Sequence, residues 1–132
     1  MNTTELTEEE AQNLAQYLGQ IISHTELEAL ALVSRQGDRL AFSAVPGTNL
    51  HPDMLCSMAA VLLQSGTQSI EKIGYHQLLE LVLRGGNAFL VLSDAGRFFL
   101  VGASNKLSDM GKIVSVFRYY AKEISKTYPA IA

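Results

Sequence analysis

The sequence has a single cysteine among 132 residues, and no block of basic residues. One thiol, Cys56, excludes a disulfide framework within the chain and suits a reducing cytoplasm. Ten Lys and Arg against thirteen Asp and Glu leave a net charge of −3. Without a basic stripe, a nucleic-acid footprint is not expected. Long hydrophobic runs are also missing, since the longest fall far short of the ~20 residues that span a bilayer. Met1 to Glu10 is polar and acidic, unlike a secretory signal peptide. There is no repeat, no low-complexity tract and no linker rich in proline and glycine. One domain over residues 1–132 is the simplest organisation.

What the chain does have is apolar surface to bury. Hydrophobic residues make up 48%, which argues against disorder. A domain of this length can bury roughly two-thirds of its unfolded surface without staples. The stretch from Pro52 to Ile73 stands out. Wound at 100° per residue, it places Leu55, Met58, Leu62 and Ile73 on one strip, with Met54 and Val61 beside it. Cys56, Ala59, Ala60, Leu63, Gly66 and Ile70 fall on the other side. Only Ser57, Gln64, Gln68 and Glu71 form a polar strip. A surface helix needs an apolar stripe little more than ~100° wide, and this one carries about twice that. One side can pack on a sheet, and the other needs a second apolar partner, because monomers rarely expose such patches. Self-association through this helix is the expected reading. The alternative is a fully enclosed core helix in a monomer, which needs helices on both of its sides.

Thr7-Glu8-Glu9-Glu10 reads as a capping box opening a first helix over about Glu8 to Ser23. Leu27 to Ser34 suits a strand covered on both faces. Arg35 to Asp38 is a tight turn, and Arg39 to Val45 the returning strand, with Leu40, Phe42 and Ala44 on one face. Pro46 to Asn49 breaks it, Pro52 starts the long helix, and Gly74 ends it. Tyr75 to Leu83, Ala88 to Leu92 and Arg97 to Ala103 are three further strands, joined by loops at Gly85-Gly86-Asn87 and Ser93 to Gly96. Phe98 and Leu100 oppose Phe99 and Val101 in the last of them. Ser104 or Ser108 caps a final helix whose stripe is Leu107, Met110, Ile113, Val114, Phe117, Tyr120, Ala121 and Ile124. The fold class is α+β: a five-stranded antiparallel sheet in an α/β/α sandwich, in the order α-β-β-α-β-β-β-α. The first and last helices share one face, and the long helix holds the other alone.

Chemistry is hard to find along this chain. His24, His51 and His76 are scattered, with no HExxH spacing and no cysteine cluster, so neither a metal nor a cofactor site is expected. His24 and His51 read as solvated loop histidines, and His76 as a strand residue with a cross-strand contact. Cys56 lies on an apolar helix side and reads as a packing thiol. Glu8 to Glu10 form a charged first turn rather than an acidic site. Arg35 and Arg97, at hairpin edges, could reach a nucleotide phosphate in trans. Nothing nearby supports that role, and they read as solvated turn arginines. No catalytic residue is assigned, which points to an assembly or regulatory domain.

Three stretches resemble the Roadblock/dynein light-chain family. They are Glu28-Ala29-Leu30-Ala31-Leu32-Val33-Ser34-Arg35-Gln36-Gly37, then Met58-Ala59-Ala60-Val61-Leu62-Leu63, and Gly111 following Ala103-Ser104-Asn105-Lys106-Leu107. They are similar to that family's strand-turn glycine motif, its alanine-rich second helix and its late helix start. Ala29-Leu30 departs from the Gly-Ala pair common there. The resemblance covers roughly Leu14 to Ile124. It implies a homodimer, or a heterodimer with a relative, built from the long helix and the edge strand after it. The interface expected on that basis comprises Met54, Leu55, Met58, Ala59, Val61, Leu62, Leu63, Gly66 and Ile70, with Tyr75, Gln77, Leu79 and Leu81. It also implies work with a Ras-like small GTPase, as a non-catalytic activator, scaffold or regulatory subunit, or with a dynein motor. A structural assembly subunit and a small-molecule sensor are the alternatives, the sensor disfavoured because the sheet faces read as filled by Leu, Val and Phe.

Overall fold

A computed structural model describes residues 6–131. The expectation for Met1 to Glu10 therefore falls partly outside the described residues. The element order is α1 (Glu8–His24), β1 (Ala29–Ser34), β2 (Arg39–Ala44), α2 (Pro52–Lys72), β3 (Glu80–Arg84), β4 (Phe89–Ala95), β5 (Phe98–Ser104) and α3 (Met110–Thr127). The strands form one antiparallel sheet in the order β2-β1-β5-β4-β3. This is the α+β plan expected from the hydrophobic periods.

α1 starts where the capping box places it. The Glu10 amide donates to Thr7 Oγ1 at 3.1 Å, and the Thr7 amide donates to Glu10 Oε1 at 3.0 Å, so two orphan helix donors are satisfied together. α1 and α3 cover one face of the sheet. Leu14, Ile21, Ile113, Phe117 and Ile124 meet Leu30, Leu32, Val91, Phe98 and Leu100 there. On the opposite face α2 lies alone, with Leu55, Cys56, Ala59, Ala60 and Leu63 against Ala31, Val33, Leu92, Phe99 and Val101. The alternation of Phe98 and Leu100 against Phe99 and Val101 thus feeds two separate cores. Gly102 lacks a side chain for a packing reason: a methyl there would overlap the Phe117 ring, with Cε2 and Cε1 at 3.0 and 3.1 Å.

Several boundaries differ from the sequence expectation. β1 begins at Ala29 rather than Leu27, and β2 ends at Ala44. Leu40 and Phe42 do not share a face. Val33 pairs with Arg39 and Leu32 with Ala41, so Leu40 is the extra residue of a bulge. Leu40 then packs with the α1/α3 core and Phe42 with the α2 core, because a bulge resets the alternation. β4 runs on to Ala95, and Ala95 pairs with Phe98. The loop is therefore only Gly96-Arg97, with Gly96 at φ +70°, shorter than the Ser93 to Gly96 loop expected. Neither Ser104 nor Ser108 caps α3, which emerges from a short 3-10 turn at Leu107–Asp109. Ser104 Oγ instead donates to the Glu26 carbonyl at 3.1 Å and accepts from the Lys106 amide at 3.0 Å.

The largest correction concerns Tyr75 to Leu79, which is not strand. α2 closes in a Schellman motif: the Gly74 amide donates to the Glu71 carbonyl at 3.1 Å and the Tyr75 amide to the Ile70 carbonyl at 3.0 Å. Gly74 has φ +79°, a conformation cheap only for glycine. His76 follows at φ +67°, which breaks any extended run through it. Ladder pairing starts only at Glu80, opposite Ser93.

Candidate functional site

Of the exposed large apolar residues among those described, Met54, Met58, Val61, Ile73, Tyr75 and Leu79 lie on α2 or just after it. His51 is the N-cap, its Nδ1 accepting from the Met54 amide at 3.5 Å, rather than a free loop histidine. Pro52 occupies the first turn, where its missing amide is no loss. From this start, the inward side of the helix is spent on the sheet. Leu55, Ala59 and Leu63 are 4%, 0% and 0% exposed. The expected interface is corrected for these three, because their side chains are enclosed by their own chain. The polar strip leans back on the fold as well: Gln64 Nε2 donates to the Arg35 carbonyl at 2.9 Å.

The outward side is different. Met54 and Val61 are each 65% exposed, and Met58 is 39% exposed. Leu62 and Ile70 are half-buried against the α2 core. Beyond the helix end, Ile73, Tyr75 and Leu79 stand exposed, as does Gln77. Leu78, between them, is buried and pins the linker to α2. Its Cδ2 lies 3.1 Å from where a Cβ of Gly66 would sit, so Gly66 serves this contact inside the chain. Leu81, on β3, packs against the α2 core. β3 pairs with β4 on one side only and is a sheet edge, with backbone donors and acceptors open to a further strand.

The titratable groups are dispersed. Burial, and then the charge of Asp53, push the Cys56 thiol up, with Arg39 opposing; the thiol is fully buried. Arg35 and Arg97 are not the solvated turn arginines expected. Arg35 donates to the Gly96 carbonyl at 2.6 Å, pairs with Asp94 at 3.4 Å and lies over the Phe99 ring at 4.7 Å. Arg97 pairs with Glu10 at 2.8 Å and lies over Phe98 and Tyr128. Both charges are thus held by acids distant in sequence, and only the presence of an opposite charge somewhere in the chain hinted at it. The Thr7 backbone bond and then Arg97 hold the Glu10 carboxyl below its ordinary value. His76 lies in the exposed linker, not on a strand. His24 ends α1, with Nδ1 2.7 Å from the Gln20 carbonyl. Among the described residues no group of three or more His, Cys, Asp or Glu could hold a metal ion. No helix among them is long and apolar enough to cross a membrane.

No family model matches the chain, and no curated protein matches it. Solved structures do. A structure described as MglB with tetrameric arrangement superposes with TM-score 0.79 at 19% identity, covering 92% of this chain and 91% of that one. A Roadblock/LC7 domain from Streptomyces avermitilis gives 0.69 at 15% identity, over 83% and 92%. A Schizosaccharomyces pombe profilin gives 0.61 at 16% identity, over 84% and 95%. One fold can carry unrelated functions, and at these identities the likeness is one of fold. The resemblance read from the sequence holds at that level: the chain is built on the plan shared by MglB and the Roadblock/LC7 domain.

Proposed function

We propose that this chain is a non-catalytic, self-associating regulator or scaffold of a Ras-like small GTPase, acting in the cytoplasm. The observation that carries the self-association is the outward face of α2. Met54, Met58 and Val61 are exposed there, and the surface continues through Ile73, Tyr75 and Leu79 toward the open edge of β3. A second copy, or a related chain, covers that face and extends the sheet edge to edge. Leu62, Ile70, Gln77 and Leu81 border the contact. Resemblance to a solved MglB described as tetrameric supports an assembling protein. The GTPase partner comes from the family resemblance in the sequence. A non-catalytic role is supported by Arg35 and Arg97, whose charges are already engaged by Asp94 and Glu10. In this reading the chain reshapes its partner without inserting an arginine of its own.

The test is a pull-down and a GTP-hydrolysis assay with Ras-like GTPases, each loaded with GDP or a GTP analogue. Nucleotide-dependent binding, with or without a change in hydrolysis rate, is expected. Absence of both across the set, together with co-purification in a larger complex, would replace this reading with that of a structural assembly subunit.

A further inference from the structure

β3 has a ladder on one side and an open edge on the other. Two hydrogen bonds at its ends show which of its backbone groups point outward. The Asp94 amide donates to the Leu79 carbonyl at 3.2 Å, and the Gly85 amide to the Ala88 carbonyl at 2.8 Å. Backbone groups alternate in direction along an antiparallel strand. Leu81 and Leu83 therefore turn theirs to β4, as Leu79 and Gly85 do, and Glu80, Val82 and Arg84 present theirs to the open edge. The side chains of these three share the sheet face beneath α3. Glu80 Oε1 accepts from Arg118 Nε at 2.7 Å, and Val82 and Arg84 stand opposite Val91 and Phe89 of the α1/α3 core. Leu81 lies on the other face, against the α2 core. β2, the other edge of the sheet, carries the Leu40 bulge, which discourages further pairing; β3 pairs in continuous register and its edge stays regular.

The strand reads Glu-Leu-Val-Leu-Arg, with opposite charges at its two ends, so turned end for end it meets its own complement. A two-fold axis through Val82 sets Val82 opposite its own copy and Glu80 opposite Arg84 of the second copy, twice. All three outward residues then exchange backbone bonds, with opposed Cβ atoms about 4.5–5.5 Å apart. A slip of two residues either way puts both charges opposite uncharged residues. A slip of one turns the two α2 helices to opposite faces of the joined sheet. The charges are available for this pairing. Arg84 is exposed and makes no ion pair among the described residues, and Glu28, along the same cleft, does not reach it. Arg118 engages only one oxygen of the Glu80 carboxylate, and a carboxylate can accept from two guanidinium groups. We propose that the occupant of this edge is a second copy of this chain, held in the register centred on Val82. Glu80 and Arg84 are then the residues that select self over a relative lacking the pattern. This choice of occupant rests on the self-association proposed above, and narrows a copy or a relative to a copy.

Sedimentation equilibrium of charge variants tests it. Arg84→Glu sets like charges opposite each other twice and should weaken self-association at least about tenfold. Glu80→Arg should do the same, and an equimolar mixture of the two variants, in which both pairs are restored, should associate about as tightly as the native chain. Glu80→Arg also meets Arg118 of its own chain, so circular dichroism checks its fold and a second measurement does without it. Leu81→Cys mixed with Leu83→Cys should give a disulfide-linked dimer under mild oxidation, because this register sets the two residues opposite each other at about 4.5 Å between Cα atoms. Neither variant should cross-link alone, since each lies more than about 7 Å from its own copy; Cys56 is buried and does not compete. Unweakened association of Arg84→Glu, cross-linking of Leu81→Cys alone, or none in the mixture would each overturn the register. Association lost in Val61→Glu but kept in Arg84→Glu removes this pairing and leaves the α2 interface standing, whereas a monomeric native chain removes both.

Discussion

Two substitutions two residues apart on α2 have opposite consequences if its outward face is an interface. Val61 is 65% exposed and Leu63 is fully buried. Burying a large apolar side chain contributes about 1.5–3 kcal/mol. Covering what remains exposed of Met54, Met58 and Val61 therefore contributes roughly 2.5–5 kcal/mol per copy, and twice that in a two-fold pair. Val61→Glu removes one of these three and sets a carboxylate against an apolar surface, a loss of about 3–5 kcal/mol where the charge stays buried. Both copies carry it, so association should weaken by more than about a thousandfold. Within a single chain the same change sits at the surface and alters stability by only about 0.5 kcal/mol. Leu63→Glu instead buries the charge between α2 and the sheet. That consumes several kcal/mol of the roughly 5–15 kcal/mol that holds a domain folded. Light scattering with circular dichroism separates the two cases. Val61→Glu should be a folded monomer, and Leu63→Glu should be unfolded or insoluble. An associated Val61→Glu, or a folded and soluble Leu63→Glu, would refute the assignment of the two helix faces.

Further expectations follow from the cores and the titratable groups. Gly102→Ala pushes a methyl into the Phe117 ring and should cost about 1–3 kcal/mol in urea unfolding; a double-mutant cycle with Phe117→Leu should recover part of it, and an unchanged midpoint would contradict the packing. The Glu10 carboxyl is held below the ordinary value of 4.5 by the Thr7 backbone bond and then by Arg97. A lowered folded value stabilises above the unfolded value and is lost as pH falls through the folded one. The stability gap between the native chain and Glu10→Gln should therefore be full near neutrality and close below pH 4.5, so a gap that grows on acidification would be inconsistent. Cys56, raised chiefly by burial, should resist a thiol reagent at neutral pH in the folded chain and react fully in denaturant. Rapid native labelling would show that α2 does not sit on the sheet as described.

Where sequence reading succeeded, the signal was local and periodic. The Thr7/Glu10 box, the α3 stripe and the opposed faces of β5 are each set by residues within a few positions of one another. It went astray where a distant partner or a backbone conformation decided. The Leu40 bulge is a matter of register with β1. The loss of strand at Tyr75 to Leu79 comes from the Schellman closure and from His76 at φ +67°, neither of which leaves an apolar period. For the candidate site, circumference alone said that α2 carries more apolar surface than one sheet can cover. It could not say which of two adjacent strips faces the sheet. Leu55 was grouped with Met58, yet Leu55 is enclosed and Met58 is not.

The most direct measurement is sedimentation equilibrium of the native chain over roughly a hundredfold range of concentration, since association is governed by mass action. A mass at or above twice the 14.4 kDa of one chain is expected, falling to the single-chain value in Val61→Glu. A native chain that stays at 14.4 kDa at the highest concentration would contradict the claim that the outward face of α2 is covered by a second copy.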